Sequence, residues 1–102
     1  MTLISAIELK NKLNAKDTPV IIDVRESWEF EEKNIGAMNI PLNELPEKLD
    51  ELDFCRHKEV IVHCQSGKRS NIAMKYLSKH GFENVKSLDG GIEAAETVLL
   101  LY

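Results

Sequence analysis

One short stretch, Cys64-Gln65-Ser66-Gly67-Lys68-Arg69-Ser70, sets a thiol, a glycine and two cations side by side. It follows the β-branched run Val60-Ile61-Val62-His63 and precedes an amphipathic segment starting at Lys68, so Cys64 stands where a strand gives way to a helix. The first turn of a helix presents backbone amides without intrahelical partners, and the helix dipole adds partial positive charge there. Such a place stabilises an anion. Lys68 and Arg69 add two full charges, and Gly67 can take a φ that strains other residues, which lets the loop curl round the sulfur. Cysteines in such surroundings have pKa values of roughly 3.5–7.5, against ~8.5 for a free thiol. The segment therefore predicts a Cys64 thiolate, a nucleophile. The alternative is an inert cysteine buried at a strand end, the usual fate of a free thiol.

The elements that must position this loop follow from periodicity. Ser5 to Leu13 has Ile7, Leu9 and Leu13 near helical spacing, with Ser5 as N-cap and Glu8 three residues on. Val20 to Val24 is a short β-branched run that predicts a buried strand. Ser27 opens a short helix from Trp28 to Lys33, and Ala37 to Ile40 is a short strand closed by Pro41. Asn43 to Leu52 is expected to be helical, with Leu45, Leu49 and Leu52 on one face. Val60 to Cys64 is the second strong strand. Lys68 to His80 is an amphipathic helix with Ile72, Ala73, Tyr76 and Leu77 on one face, stopped at Gly81. Val85 to Leu88 predicts a last strand and Ile92 to Leu100 a last helix. Strands alternating with helices point to an α/β fold with a mostly parallel sheet covered on both faces. Ligands of such sheets sit beyond the carboxyl ends of the strands, and the two strong strands end in Asp23-Val24-Arg25 and in Cys64.

Composition narrows the function classes. At 102 residues the chain has room for one hydrophobic core, and 43% apolar with 29% charged residues is a globular balance. A net charge of -4 argues against general nucleic-acid binding. The longest apolar run, Val98 to Tyr102, is far short of the roughly 20 residues of a membrane span. It is expected to dock on the domain itself. Met-Thr-Leu-Ile-Ser has no basic region leading into an apolar stretch, so no secretory leader is expected. Two cysteines are too few for a stapled secreted scaffold, and the expected compartment is a reducing cytoplasm.

The loop Val60-Ile61-Val62-His63-Cys64-Gln65-Ser66-Gly67-Lys68-Arg69-Ser70 resembles the active-site segment of the single-domain rhodanese (sulfurtransferase) family. The resemblance runs along most of the chain. It takes in Ile22-Asp23-Val24-Arg25-Glu26 with Trp28-Glu29-Phe30, then Ile35-Gly36-Ala37-Met38-Asn39-Ile40-Pro41. It closes with Gly81-Phe82-Glu83-Asn84-Val85 and Leu88-Asp89-Gly90-Gly91-Ile92. It implies one rhodanese-like domain over residues 1–102, with about five mostly parallel strands and helices on both faces. It also implies that Cys64 takes a sulfane sulfur from an anionic, thiosulfate-like donor, holds it as a persulfide and passes it to a thiol or cyanide, or to a sulfur-accepting protein. Carried over, the amides of Gln65, Ser66, Gly67, Lys68, Arg69 and Ser70 surround the persulfide, and Lys68 and Arg69 orient the donor. Asp23 and Arg25 match a motif that supports the site from a neighbouring strand end. The family scheme needs no metal or cofactor. Two departures stand out. The loop Lys33-Asn34-Ile35-Gly36-Ala37 is a residue short and lacks the usual histidine, and Ala95 stands where the closing motif usually has Trp.

Other chemistries fit less well. Cysteine phosphatases and arsenate reductases of this architecture use Cys-x5-Arg, whereas Arg69 follows Cys64 at Cys-x4-Arg, a tighter cup that suits sulfur. A family member can also be an idle module that binds a partner, but idle modules tend to lose the cysteine or its loop, and this chain keeps both. Cys55, His57, His63 and Cys64 include four candidate zinc ligands, yet adjacent strand residues face opposite ways and Cys-x-His is not a ligand spacing. The same opposition makes His63 a residue packed on the far sheet face rather than a base for Cys64. Cys55 reads as a half-exposed spectator, Trp28 and Phe30 as packing residues, and Glu29, Glu31 and Glu32 as a solvated helix face.

Overall fold

The Ser5 hydroxyl accepts the Glu8 amide at 3.1 Å, and the Glu8 carboxylate accepts the Ser5 amide at 3.2 Å. This reciprocal cap opens α1, Ala6–Leu13, where the sequence predicts it. The structure is a computed structural model, and it describes residues 2–15 and 18–99. Before α1 lies β1, Leu3–Ile4; after it come β2, Val20–Asp23, and α2, Ser27–Glu32. Next are β3, Met38–Asn39, and two 3-10 segments, Leu42–Lys48 and Asp50–Cys55. The chain continues through β4, Glu59–His63, α3, Lys68–Lys79, β5, Asn84–Leu88, and α4, Gly91–Leu99.

The strands form one sheet in the order β1-β5-β4-β2-β3, and every pair is parallel. The fold is α/β, with helices on both faces. Strand alternation divides the core. Ile22, Val24, Val60, Val62, Cys64 and Val85 point to the layer of α3 and the 3-10 segments, while Ile61 and Leu88 meet α1 and α4. Val60, Ile61, Val62 and Ile22 are fully buried, each contributing about 1.5–3 kcal/mol by leaving water. The chain steps from β2 outward to β3 and from β4 the opposite way to β5, so the winding reverses between β2 and β4. A crevice is expected at the carboxyl ends of those two strands. Asp23 and His63 sit opposite one another there, in register.

The structure corrects several expectations. Leu3–Ile4 forms an edge strand that is too short to show in the sequence pattern. The segment expected as one helix over Asn43 to Leu52 is instead 3-10 backbone, with Pro46 inside it. Proline has no N–H to donate and clashes with a continuing α-helix, although Leu45 and Leu52 still reach the core. On α3 the buried face is Ser70, Ala73, Met74 and Leu77, while Ile72 is exposed. Val98 and Leu99 pack against the α1–α4 cluster; Leu100 and the rest of the apolar tail lie outside the described residues. No described helix is long and apolar enough to cross a membrane.

Candidate active site

Cys64 leaves the end of β4 and enters a loop that turns directly into α3. Gly67 is the residue before that helix and has φ of +118°, a conformation that strains any residue with a Cβ. The turn aims two amides at the sulfur: Gly67 N–H donates to Sγ at 3.1 Å and Ser70 N–H at 3.4 Å. The Ser70 hydroxyl lies 3.6 Å from Sγ. Burial pushes the Cys64 thiol up, but the Ser70 hydroxyl and the amides of Ser70, Gly67 and Ser66 outweigh it, and the pKa is lowered. The curled loop therefore has the polarity that its sequence predicts. The sulfur is nevertheless shut off from solvent. Cys64 is 1% exposed and belongs to the core cluster, so the cup is closed over the sulfur.

The two loop cations behave differently. Lys68 is exposed. Arg69 turns toward α2 and grips Glu29 with two prongs, Nη1 to Oε1 at 2.6 Å and Nη2 to Oε2 at 3.0 Å. The hydrogen bond from Arg69 holds the Glu29 carboxyl down at about 2 against its desolvation. Glu29 is therefore a clamped carboxylate and not part of a solvated face; Glu31 and Glu32 are exposed as expected.

Asp23 and Arg25 form a buried ion pair beside the loop. Arg25 Nε lies 3.1 and 3.2 Å from the two Asp23 oxygens, and Nη2 lies 2.8 Å from Oδ2. The remaining reach of the guanidinium goes to the Lys33 carbonyl at 2.6 Å, which ties the end of α2 to the end of β2. His63 is fully buried on the opposite face from Cys64, with Nδ1 3.5 Å from the Cys64 carbonyl oxygen and Nε2 3.6 Å from Asp23 Oδ2. Burial, against the pull of Asp23, lowers its pKa and keeps the ring neutral at neutral pH. Its direction, toward the Cys64 carbonyl and Asp23 and away from the sulfur, excludes it as the base for the thiol.

α4 closes the loop from the other side. Ile92 N–H donates to the Cys64 carbonyl at 2.9 Å and Glu93 N–H to the Gln65 carbonyl at 3.3 Å. The approach is close enough that a Cβ on Gly91 would fall 2.6 Å from the Cys64 carbonyl oxygen. Beside Gln65 a cavity of ≈ 330 Å³ opens between α2 and α4, walled by Arg25, Trp28, Glu29, Ile92 and Glu96. Trp28 is 62% exposed, so it walls this cavity instead of packing in the core. Cys55 is fully buried, not half-exposed; its thiol donates to the Leu52 carbonyl at 3.2 Å and burial pushes its pKa up. Ala95, in place of the expected aromatic, is fully buried in the α1–α4 cluster. Among the described residues no group of His, Cys, Asp and Glu is placed to hold a metal ion.

Sequence reasoning missed the Glu29 clamp, the Trp28 wall and one further residue, Ser87, whose hydroxyl stands 2.7 Å from Ser70 Oγ. Ser87 had a signal. Counting by twos along β5 puts it on the same face as Val85, a polar group facing the core.

The chain is similar to known proteins in sequence and in fold. A family model described as "Rhodanese-like domain" matches residues 5–97. The chain is 40% identical over 94 residues to "Putative sulfurtransferase YtwF" of Bacillus subtilis (strain 168), covering 91% of this chain and 88% of that protein. The crystal structure of a rhodanese-related protein from Thermoplasma volcanium superposes with a TM-score of 0.84 at 33% identity, over 96% of this chain and 93% of the other. A NAD-dependent persulfide reductase from A. fulgidus is 39% identical with a TM-score of 0.71, the match spanning 90% of this chain but 15% of that larger one.

Proposed function

The chain belongs to the rhodanese-like domain family, and we propose that it is a sulfurtransferase in which Cys64 carries the sulfur as a persulfide. The observation that carries this reading is the aim of the Gly67 and Ser70 amides at Sγ, with the Ser70 hydroxyl beside them. The thiolate attacks the outer sulfur of a donor such as thiosulfate. Its electron pair forms the new S–S bond, and the donor's own S–S bond breaks with its pair leaving on sulfite. The product, Cys64–S–S⁻, carries its charge one atom further out, where the loop amides of residues 65 to 70 stabilise it as an oxyanion hole stabilises developing charge. A thiolate or cyanide then attacks the outer sulfur and takes it away, which regenerates the Cys64 thiolate. This is a two-step exchange of the covalent type. The names of the Bacillus subtilis and A. fulgidus relatives support sulfur and persulfide chemistry.

The donor's path follows from the burial of Cys64. The cavity beside Gln65 gives a reagent a place to wait, and the loop must shift to admit it to the sulfur. Lys68 is the exposed cation that attracts an anionic donor, because the charge of Arg69 is neutralised by Glu29. Asp23 and Arg25 act as supports: they hold the strand end and α2 in place, and Arg25 also walls the cavity in which the reagent waits.

The deciding experiment loads the protein with thiosulfate and locates one added sulfur on the Cys64 peptide by mass spectrometry, then adds cyanide and measures thiocyanate. The adduct and its discharge are expected in the wild type and absent in Cys64→Ser. The closed cup favours a second reading, a rhodanese-fold module that binds a partner without turnover. No sulfur adduct with thiosulfate, polysulfide or glutathione persulfide, together with an ordinary thiol pKa, would support it.

A further inference from the structure

Ser87 sits in the middle of the molecule with a hydroxyl to place. It lies on β5 opposite Val62 of β4, two residues before the nucleophile, and it is fully buried. Its oxygen is 2.7 Å from Ser70 Oγ, which is its one side-chain hydrogen-bond partner among the described residues. Ser70, also fully buried, has three neighbours within reach: Ser87 Oγ, the Gly67 carbonyl at 3.1 Å and Cys64 Sγ at 3.6 Å.

A hydroxyl has one hydrogen to give and two lone pairs to receive with. Were Ser70 to give its hydrogen to Ser87, neither the Gly67 carbonyl nor a charged sulfur would receive it. The hydrogen of Ser87 would then be buried without an acceptor, an arrangement that folded proteins avoid. The opposite direction satisfies every group. Ser87 donates to Ser70, and Ser70 keeps its own hydrogen to dispose of.

We propose that Ser87 is a positioning residue for Cys64: by donating to Ser70 Oγ it reserves the Ser70 hydrogen for the sulfur whenever the sulfur is negative. While Cys64 is a thiol, it donates to the second lone pair of Ser70, and Ser70 donates to the Gly67 carbonyl. When the thiol proton has left to water, the Ser70 O–H swings from that carbonyl to the sulfur. The Ser87 bond is the same in both states, so ionisation takes one hydroxyl rotation and strands no buried donor. Chained hydroxyls also polarise one another, which strengthens the bond that reaches the sulfur. This role rests on the reading of Cys64 as the nucleophile, but it concerns the thiol's ionisation and not the transfer itself.

The test is site-resolved alkylation. The wild type, Ser87→Ala, Ser70→Ala and the double variant are treated with iodoacetamide across a pH series, and the Cys64 and Cys55 peptides are quantified separately by mass spectrometry. Ser87→Ala is expected to move the Cys64 midpoint to higher pH and to slow alkylation at neutral pH by roughly threefold, the scale of one modest hydrogen bond. In the Ser70→Ala background the Ser87→Ala change is expected to add nothing, because its route to the sulfur is gone. Ser87→Thr, which keeps the hydroxyl, is expected to restore the midpoint. An unchanged midpoint in Ser87→Ala overturns the proposal, and so does an equal further shift in the Ser70→Ala background. The midpoint is read separately from the alkylation plateau, so a variant that only loosens the cup raises the plateau and leaves the midpoint in place, which also overturns it. Failure of sulfur loading with the expected midpoints would instead remove the sulfurtransferase reading and leave the hydroxyl relay standing.

Discussion

Arg69 and Glu29 are joined by two parallel hydrogen bonds of 2.6 and 3.0 Å, and through them the first turn of α3 is fastened to α2. The charge of Arg69, one of the two loop cations, is thereby paired. Removing the carboxylate is expected to free it: Glu29→Gln should lower the KM for thiosulfate, read in the cyanide assay. An unchanged KM would mean that Arg69 has no part in donor binding.

The same pair sets a pH dependence. The Glu29 carboxyl is held at about 2, below its ordinary 4.5, so the folded state binds its proton less readily than the unfolded state does. Its contribution to stability is complete above the unfolded value and fades as the pH falls toward about 2. Urea unfolding of wild type and Glu29→Gln should differ at pH 6 to 7 and converge in acid. A gap that persists undiminished down the acid series would show that the pair is not its source.

Two thiols of one core should titrate apart. Cys64 is lowered because hydrogen bonds outweigh its burial, whereas Cys55 is raised by burial that its nearby cations do not offset. Alkylation of the native chain at neutral pH should label Cys64 well ahead of Cys55. Equal labelling, or the reverse order, would contradict the electrostatics of the loop.

Asp23→Asn should be among the most destabilising single changes. It leaves the Arg25 guanidinium buried beside a neutral amide, and breaking one partner of a buried pair costs about 3–5 kcal/mol. Domains of this size are stable by about 5–15 kcal/mol, so the variant should fold but unfold at much lower urea. A loss below about 1 kcal/mol would place the pair on the same footing as a surface ion pair.

Gly91→Ala tests the closest backbone approach of the site. The new Cβ would lie 2.6 Å from the Cys64 carbonyl oxygen, at a residue with φ of +59°. The backbone must separate there, so the hydrogen bonds from α4 to the loop should weaken, with a stability loss on the order of 1–3 kcal/mol. Sulfur loading should fall with it. A variant as stable and as active as the wild type would show that α4 does not brace the loop.

Much of this molecule is legible along the chain. The runs Val20 to Asp23 and Val60 to His63 lack polar alternation because helical layers cover the sheet on both faces, so their place in a parallel sheet follows from composition. Ser5 with Glu8 marks a helix start within one turn, and Gly67 marks the bend before α3. These are local matters, settled by neighbours a few residues apart. Leu3–Ile4 is not legible, because two residues carry no period and the strand exists through its pairing with β5. The 3-10 backbone over Leu42–Lys48 was hidden by leucines that keep helical spacing around a proline that forbids the helix.

The sequence by itself determined the kind of atom at the site and the field around it: a sulfur at a strand end, a glycine to bend the loop and the start of a helix to supply amides. Only the tertiary structure decided what that atom touches. Glu29 and Arg69 stand 40 positions apart and Ser70 and Ser87 stand 17 apart, and no local pattern ties either pair. It also decided that Cys64 lies under a closed cup, because its exposure depends on how α3 and the 3-10 segments come to rest against the sheet. The physical reason is range: dipoles and backbone bends act over one turn of chain, whereas burial and pairing are set by segments that meet only after folding.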